Sequence, residues 1–165
     1  MPLVDTPLLP ALLTAVEAVA TIAFAVSGLL EAARKRLDAV GVCMVTGLAA
    51  FGGGTLRDVL LDRRPFFWVE HAGWLWALLA LAVAAMAFMR ARHFAPTERA
   101  MQWPDALGLG LFAAGGTLVA LEQGMPAIVA VLMGVVTATF GGVLRAAALW
   151  TGWELPRWSP GGGGR

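Results

Sequence analysis

The sequence predicts an all-α fold: a polytopic integral membrane helix bundle, an inverted repeat of three-helix units with about five transmembrane helices. Three observations predict it. Of 165 residues, 59% are hydrophobic and 14% charged, with mean hydropathy +0.74, whereas about a quarter of a soluble domain is charged. Five apolar runs are separated by short charged or Pro/Gly-containing breaks. The chain also matches itself when shifted by 88 positions.

The five runs are Leu12–Ala33, Ala39–Leu61, Ala72–Met89, Asp105–Leu121 and Ala127–Trp150. Each approaches the roughly 20 residues that an α-helix needs to cross a bilayer. Residues 1–11 read as an N-terminal tail, 12–104 as a first repeat of three spans, 105–150 as an incomplete second repeat of two, and 151–165 as a flexible Trp/Pro/Gly-rich tail. The tail holds Asp5 but no basic residue, so it lacks a signal peptide's n-region.

Basic residues set the orientation, because Lys and Arg concentrate in cytoplasmic loops. Arg34, Lys35, Arg36, Arg90, Arg92 and Arg99 share one side, opposed by Arg63 and Arg64 on the other. The expected arrangement is a multi-pass protein of the cytoplasmic (inner) membrane of a prokaryote, N-terminus outside. Trp68, Trp74, Trp76, Trp103, Trp150 and Trp153 fall near segment ends, where indole rings anchor in the headgroup layer.

The shift of 88 brings Glu17 onto Asp105, Phe24 onto Phe112, Gly28 onto Gly116, Gly53 and Gly54 onto Gly141 and Gly142, and Arg57 onto Arg145. A unit of three spans re-enters the membrane inverted, an arrangement transporters and channels use. The second run carries Thr46, Ala49, Gly53 and Arg57 on one helical face, and the fifth carries Gly134, Thr137, Gly141 and Arg145 in the same register. The first run aligns Thr14, Glu17, Thr21, Phe24, Gly28 and Glu31. Glu31 is expected to pair with Arg34 or Lys35.

Phe51-Gly52-Gly53-Gly54-Thr55-Leu56-Arg57-Asp58 concentrates the chemistry. Small residues let helices approach closely, but three consecutive glycines, each costing about 1 kcal/mol of helix propensity against alanine, predict a kink or unwound turn that opens backbone groups toward a cavity. Gly52, Gly53, Gly54, Gly141, Gly142, Thr46 and Thr137 are the candidate pore-lining or hinge residues. Arg57, Asp58 and Arg145 are the candidate charged gate or ion pair.

No enzyme motif is present: GxSxG, HExxH, CxxC and a P-loop are all missing. The single Cys43 lies in an apolar run and allows no intrachain disulfide. His71 and His93 flank the third span as interface residues. No cofactor, metal site or nucleic-acid partner is expected, since the net charge is only +1 and the basic residues form no stripe.

Ala23-Phe24-Ala25-Val26-Ser27-Gly28, Arg34-Lys35-Arg36 with Asp38 and Gly41, the glycine motif through Asp58 with Leu60, Leu61 and Pro65, and Phe140-Gly141-Gly142-Val143-Leu144-Arg145 together resemble the prokaryotic branch of the trimeric intracellular cation channel family. That resemblance, from about Thr14 to Arg145, implies two inverted three-helix repeats plus a seventh helix, a homotrimer in the lipid bilayer, and passage of potassium-like monovalent cations between glycine-broken helices. After Arg145 the likeness ends, with Ala146 where the first copy has Asp58, which predicts a truncated or frame-shifted member. Two other readings stay open: a secondary carrier for a small solute such as a small amino acid, and a non-transporting truncated membrane protein.

Overall fold

In the computed structural model, residues 8–92 and 97–151 are described. Six helices follow in order: α1 (Leu8–Arg34), α2 (Ala39–Leu60), α3 (Phe67–Glu70), α4 (Gly73–Arg92), α5 (Glu98–Glu122) and α6 (Ala127–Trp150). Four of them, α1, α2, α5 and α6, are long and apolar enough to cross a membrane. At 1.5 Å per residue, the 22 residues of α2 reach about 33 Å, against a hydrocarbon core of about 30 Å. The third expected span corresponds to α4, whose apolar stretch among the described residues is the shorter Gly73–Ala87.

Local chemistry fixes the helix ends. The Asp38 carboxylate accepts the Gly41 amide at 2.8 Å and caps α2. The Thr97 hydroxyl does the same for α5 through Ala100. α1 and α5 end in one turn: Leu37 N–H donates to the Ala32 carbonyl and Met125 N–H to that of Ala120, each at 3.1 Å. The residues at the left-handed position are Arg36 (φ 54) and Gly124 (φ 73). They lie 88 apart.

Two expectations need correction. The fourth span begins at Glu98 instead of Asp105, and Trp103-Pro104 lies inside it. Proline in the second turn removes one backbone bond, which costs less near a helix start than in mid-helix. Secondly, α2 runs without a break through Gly52, Gly53 and Gly54. An unwound turn is absent, since bilayer hydrocarbon offers a freed backbone group no partner. His93 and Trp153 lie outside the described residues.

The four long helices form a ring in which α1 touches α2 and α5, while α6 touches α5 and α2; α4 packs outside, on α1 and α2. Partners run in opposite directions. Ser27 of α1 meets Asp105 of α5, Phe24 meets Gly108 and Val16 meets Gly115. A pseudo-two-fold axis relates the halves, and residues 88 apart meet on it. The rings of Phe24 and Phe112 stack with centroids 5.4 Å apart, worth about 0.5–1.5 kcal/mol beyond burial. At its other contact, the Gly53 amide nitrogen lies 3.6 Å from where a Cβ on Gly141 would stand. Two small cores repeat the symmetry: Ala32, Val42 and Val45 with Leu37 and Leu149, and Ala120, Ala130 and Leu61 with Met125 and Met133.

Candidate functional site

The glycines are where helices touch. A Cβ on Gly53 would overlap the Thr137 carbonyl oxygen, and one on Gly141 would stand 2.7 Å from the Ala49 carbonyl oxygen. These contacts exchange under the pseudo-two-fold. Within each repeat the first two helices cross in matching fashion: a Cβ on Gly28 would lie 3.2 Å from the Thr46 Cα, and one on Gly116 would lie 3.2 Å from the Gly134 Cα. Packing between helices in lipid has no hydrophobic drive and rests on such close approach. The third glycine has another use. The Phe67 ring lies on Gly54, 2.5 Å from the position a Cβ would take, whereas Gly142 has nothing within 4 Å.

Arg57 lies beyond one end of this crossing. It is fully buried, as its place on the α2 stripe and the cost of about 2.5–3.5 kcal/mol for a lipid-facing charge at mid-membrane would dictate. Its Nη1 is 2.6 Å from Oε1 of Glu17 on α1. That contact is close but poorly aligned for a hydrogen bond, so charge attraction holds it. Nε and Nη2 donate to Asp58 Oδ1 at 2.9 and 2.7 Å. Arg63 Nη1 approaches the same Glu17 oxygen at 3.7 Å, and the Phe67 ring lies 5.8 Å from the guanidinium carbon. Asp58 Oδ2 accepts the Phe67 amide at 3.0 Å, so one carboxylate binds Arg57 with one oxygen and α3 with the other.

Arg145 holds the corresponding place at the opposite end. Its Nη1 donates to Asp105 Oδ1 at 3.0 Å and to Ser27 Oγ at 2.8 Å, and Ser27 Oγ donates to Asp105 Oδ1 at 2.9 Å. Its Nε meets Glu31 Oε2 at 2.8 Å. Each repeat therefore pairs the acid of its first helix with the arginine of its second, Glu17 with Arg57 and Asp105 with Arg145. The second acid differs. Asp58 adjoins Arg57 in its own helix, while Arg145 is followed by Ala146 and takes Glu31 from the other repeat. Glu31, expected to pair with Arg34 or Lys35, meets Arg145.

The structure thus brings Gly53, Gly141 and Thr137 together at the crossing, and places Thr46 on the α1 side of α2. It separates Arg57 with Asp58 from Arg145 by the length of the crossing. A Cβ on Gly142 or Gly47 would meet nothing within 4 Å. Glu17, Glu31, Asp105, Ser27 and Phe67 belong to the site, although the candidate list omits them. The acids were legible as partners at the shift of 88; Phe67 carried no signal. Trp68 Nε1 donates to Thr55 Oγ1 at 3.0 Å. Outside the ring, an open groove of about 400 Å3 runs between α2, α4 and α6, lined by Leu48, Phe51, Gly52, Leu56, Phe140 and Leu144 among others.

Residues 14–92 and 102–150 match the family model described as Glycine transporter. The chain belongs to this family. Curated relatives include the UPF0126 membrane protein of Vibrio cholerae, 34% identical over 86% of this chain and 59% of its own length. The UPF0126 membrane protein of Deinococcus radiodurans is 35% identical over 77% of this chain and 58% of its own. The Escherichia coli UPF0126 inner membrane protein YadS is 35% identical over 77% and 61%. The chain thus spans about three fifths of these relatives' length. Among solved structures, the TRIC trimeric intracellular cation channel orthologue from Rhodobacter sphaeroides superposes with TM-score 0.74 at 38% identity, covering 89% of this chain and 73% of that one. A prokaryotic TRIC channel crystallised in 0.5 M KCl gives TM-score 0.74 at 25% identity with the same coverage. The chain is a multi-pass membrane protein whose structural neighbours are cation channels.

Proposed function

We propose that this chain forms a cation-conducting unit of the bacterial inner membrane, passing potassium-like monovalent ions between α1, α2, α5 and α6. The observation that carries the reading is the pair of arginine–carboxylate clusters at opposite ends of one glycine crossing, with Arg57 and Asp58 fully buried and Arg145 half-buried with Glu31 and Asp105. Buried ionisable groups inside a membrane bundle mark permeation paths. The likeness to TRIC channels supports the same reading.

Arg57 and Arg145 act as two gates, each closed while its carboxylates hold it across the path. Gly52, Gly53, Gly54, Gly141 and Gly142, with Thr46 and Thr137, line the region between, where α2 and α6 slide or part without side chains to obstruct them. The unit assembles as a homotrimer with the N-terminus outside, by its likeness to the trimeric channels and by its distribution of basic residues. An unbroken α2 makes the glycines sliding contacts instead of an unwound filter.

A second reading, carriage of a small amino acid, is favoured by the family's description as Glycine transporter. One experiment separates the two. Purified protein in planar bilayers and liposomes is assayed for unitary potassium currents and for saturable glycine counterflow. Currents that vanish in Gly53→Leu support the channel. Glycine counterflow without currents overturns it.

A further inference from the structure

Thr46 differs from the other helical threonines. Thr14, Thr21, Thr55, Thr117, Thr137 and Thr139 each donate the hydroxyl to the carbonyl four residues back. The Thr46 hydroxyl makes no such bond and has no other partner, although the residue is fully buried. An unpaired buried hydroxyl costs stability that an isosteric valine would not. Native interiors satisfy nearly all such groups, so an exception calls for a cause.

Its surroundings supply one. The Thr46 Cα and the Val45 carbonyl oxygen lie 3.2 and 3.3 Å from the point where a Cβ on Gly28 would stand, so α1 offers no side chain there. The preceding residue, Ser27, belongs to the Arg145 cluster with Asp105. Thr46 therefore packs on α1 at Gly28, the residue after Ser27, and lies about three helical turns along α2 from Arg57. Its symmetry mate is Gly134, where the Thr117 hydroxyl fills the corresponding space and already bonds to the Ala113 carbonyl. The unsatisfied oxygen exists on one side only.

We propose that the Thr46 hydroxyl is a ligand for a monovalent alkali cation, replacing one water of its hydration shell between the Asp105 cluster and the crossing at Gly53. This rests on the reading of the chain as a cation conductor. Neutral hydroxyl and carbonyl oxygens suit a weakly hydrated monovalent ion; calcium-type sites draw on carboxylates in direct contact. The ion completes the bond that the closed bundle leaves open.

The test compares wild type, Thr46→Val and Thr46→Ser for potassium and sodium flux in liposomes, and for melting in detergent with potassium chloride or choline chloride. In choline chloride, Thr46→Val melts higher than wild type because the unpaired hydroxyl is gone. Potassium raises the melting temperature of wild type and Thr46→Ser but not of Thr46→Val, and the potassium-to-sodium ratio changes about fivefold in the valine variant only, the effect of one neutral ligand. If wild type conducts and the valine variant keeps its ratio and its potassium-dependent melting, the ligand role is overturned while cation conduction stands. If wild type carries no potassium, both fall. Glycine uptake lost on Thr46→Val without any potassium effect also overturns the proposal. Should the valine variant not fold, Thr46→Ala carries the same comparison.

Discussion

Gly53→Ala tests the helix crossing most directly. The added methyl would overlap the Thr137 carbonyl oxygen, with that residue's carbonyl carbon only 3.0 Å away. Both are backbone atoms, so relief requires α2 and α6 to separate. Overpacking of this kind costs about 1–3 kcal/mol, and the upper end applies where backbone must move. Alanine recovers about 1 kcal/mol of helix propensity, leaving a net loss of about 2 kcal/mol. Gly142→Ala is the control, because its methyl meets nothing within 4 Å, and only the gain of about 1 kcal/mol remains. Gly141→Ala, 2.7 Å from the Ala49 carbonyl oxygen, falls between them. The span of about 3 kcal/mol corresponds to roughly 10 °C in melting temperature for a chain of this size. Thermal unfolding in detergent, followed by tryptophan fluorescence, reads it. If Gly53→Ala and Gly142→Ala move the melting temperature alike, α2 and α6 do not meet at Gly53 and the crossing is wrong.

Other outcomes follow from the same geometry. Arg36 occupies a left-handed position that its mate fills with Gly124, so Arg36→Gly stabilises the fold by about 0.5–1 kcal/mol. A rise in melting temperature checks this, and a fall would argue for a different turn. Glu17→Gln leaves the fully buried Arg57 with Asp58 alone, a loss of up to about 3 kcal/mol; chemical unfolding measures it, and Arg57→Met added to Glu17→Gln deepens the loss, because the buried Asp58 carboxylate then has no cation. Phe67→Ala vacates the face of Gly54 and the ring over Arg57. It destabilises by about 3–5 kcal/mol, and a second substitution, Gly54→Ala, partly compensates by filling the space. For Phe24 and Phe112, a double-mutant cycle to leucine returns a coupling of about 0.5–1.5 kcal/mol; a coupling near zero would remove the stack from the axis.

Much of this was legible before any coordinates. The apolar runs located the long helices because a bilayer tolerates little else, and Ala39 and Ala127, 88 apart, both open their helices as the shift requires. The same shift paired Glu17 with Asp105 and Arg57 with Arg145, and these became the two acid–arginine couples. It could not show that each acid meets the arginine of its own repeat, since helix spacing defines a face but not what stands opposite. Pro104 was misleading, because a proline reads as a break unless the cap at Thr97 is weighed against it.

The sequence by itself determined the membrane class, the helix order and the internal symmetry, all of which follow from hydropathy and repetition along one chain. Tertiary structure decided the meaning of the three glycines. Propensity alone argued for a break, but inside a bundle the missing Cβ atoms allow backbone contact with α6 at Gly53 and a seat for Phe67 at Gly54, and the helix stays intact. It also decided the partner of Arg145. With Ala146 in place of an acid, the half-buried guanidinium takes its second carboxylate from elsewhere, and the packing of both α1 and α6 on α5 supplies Glu31.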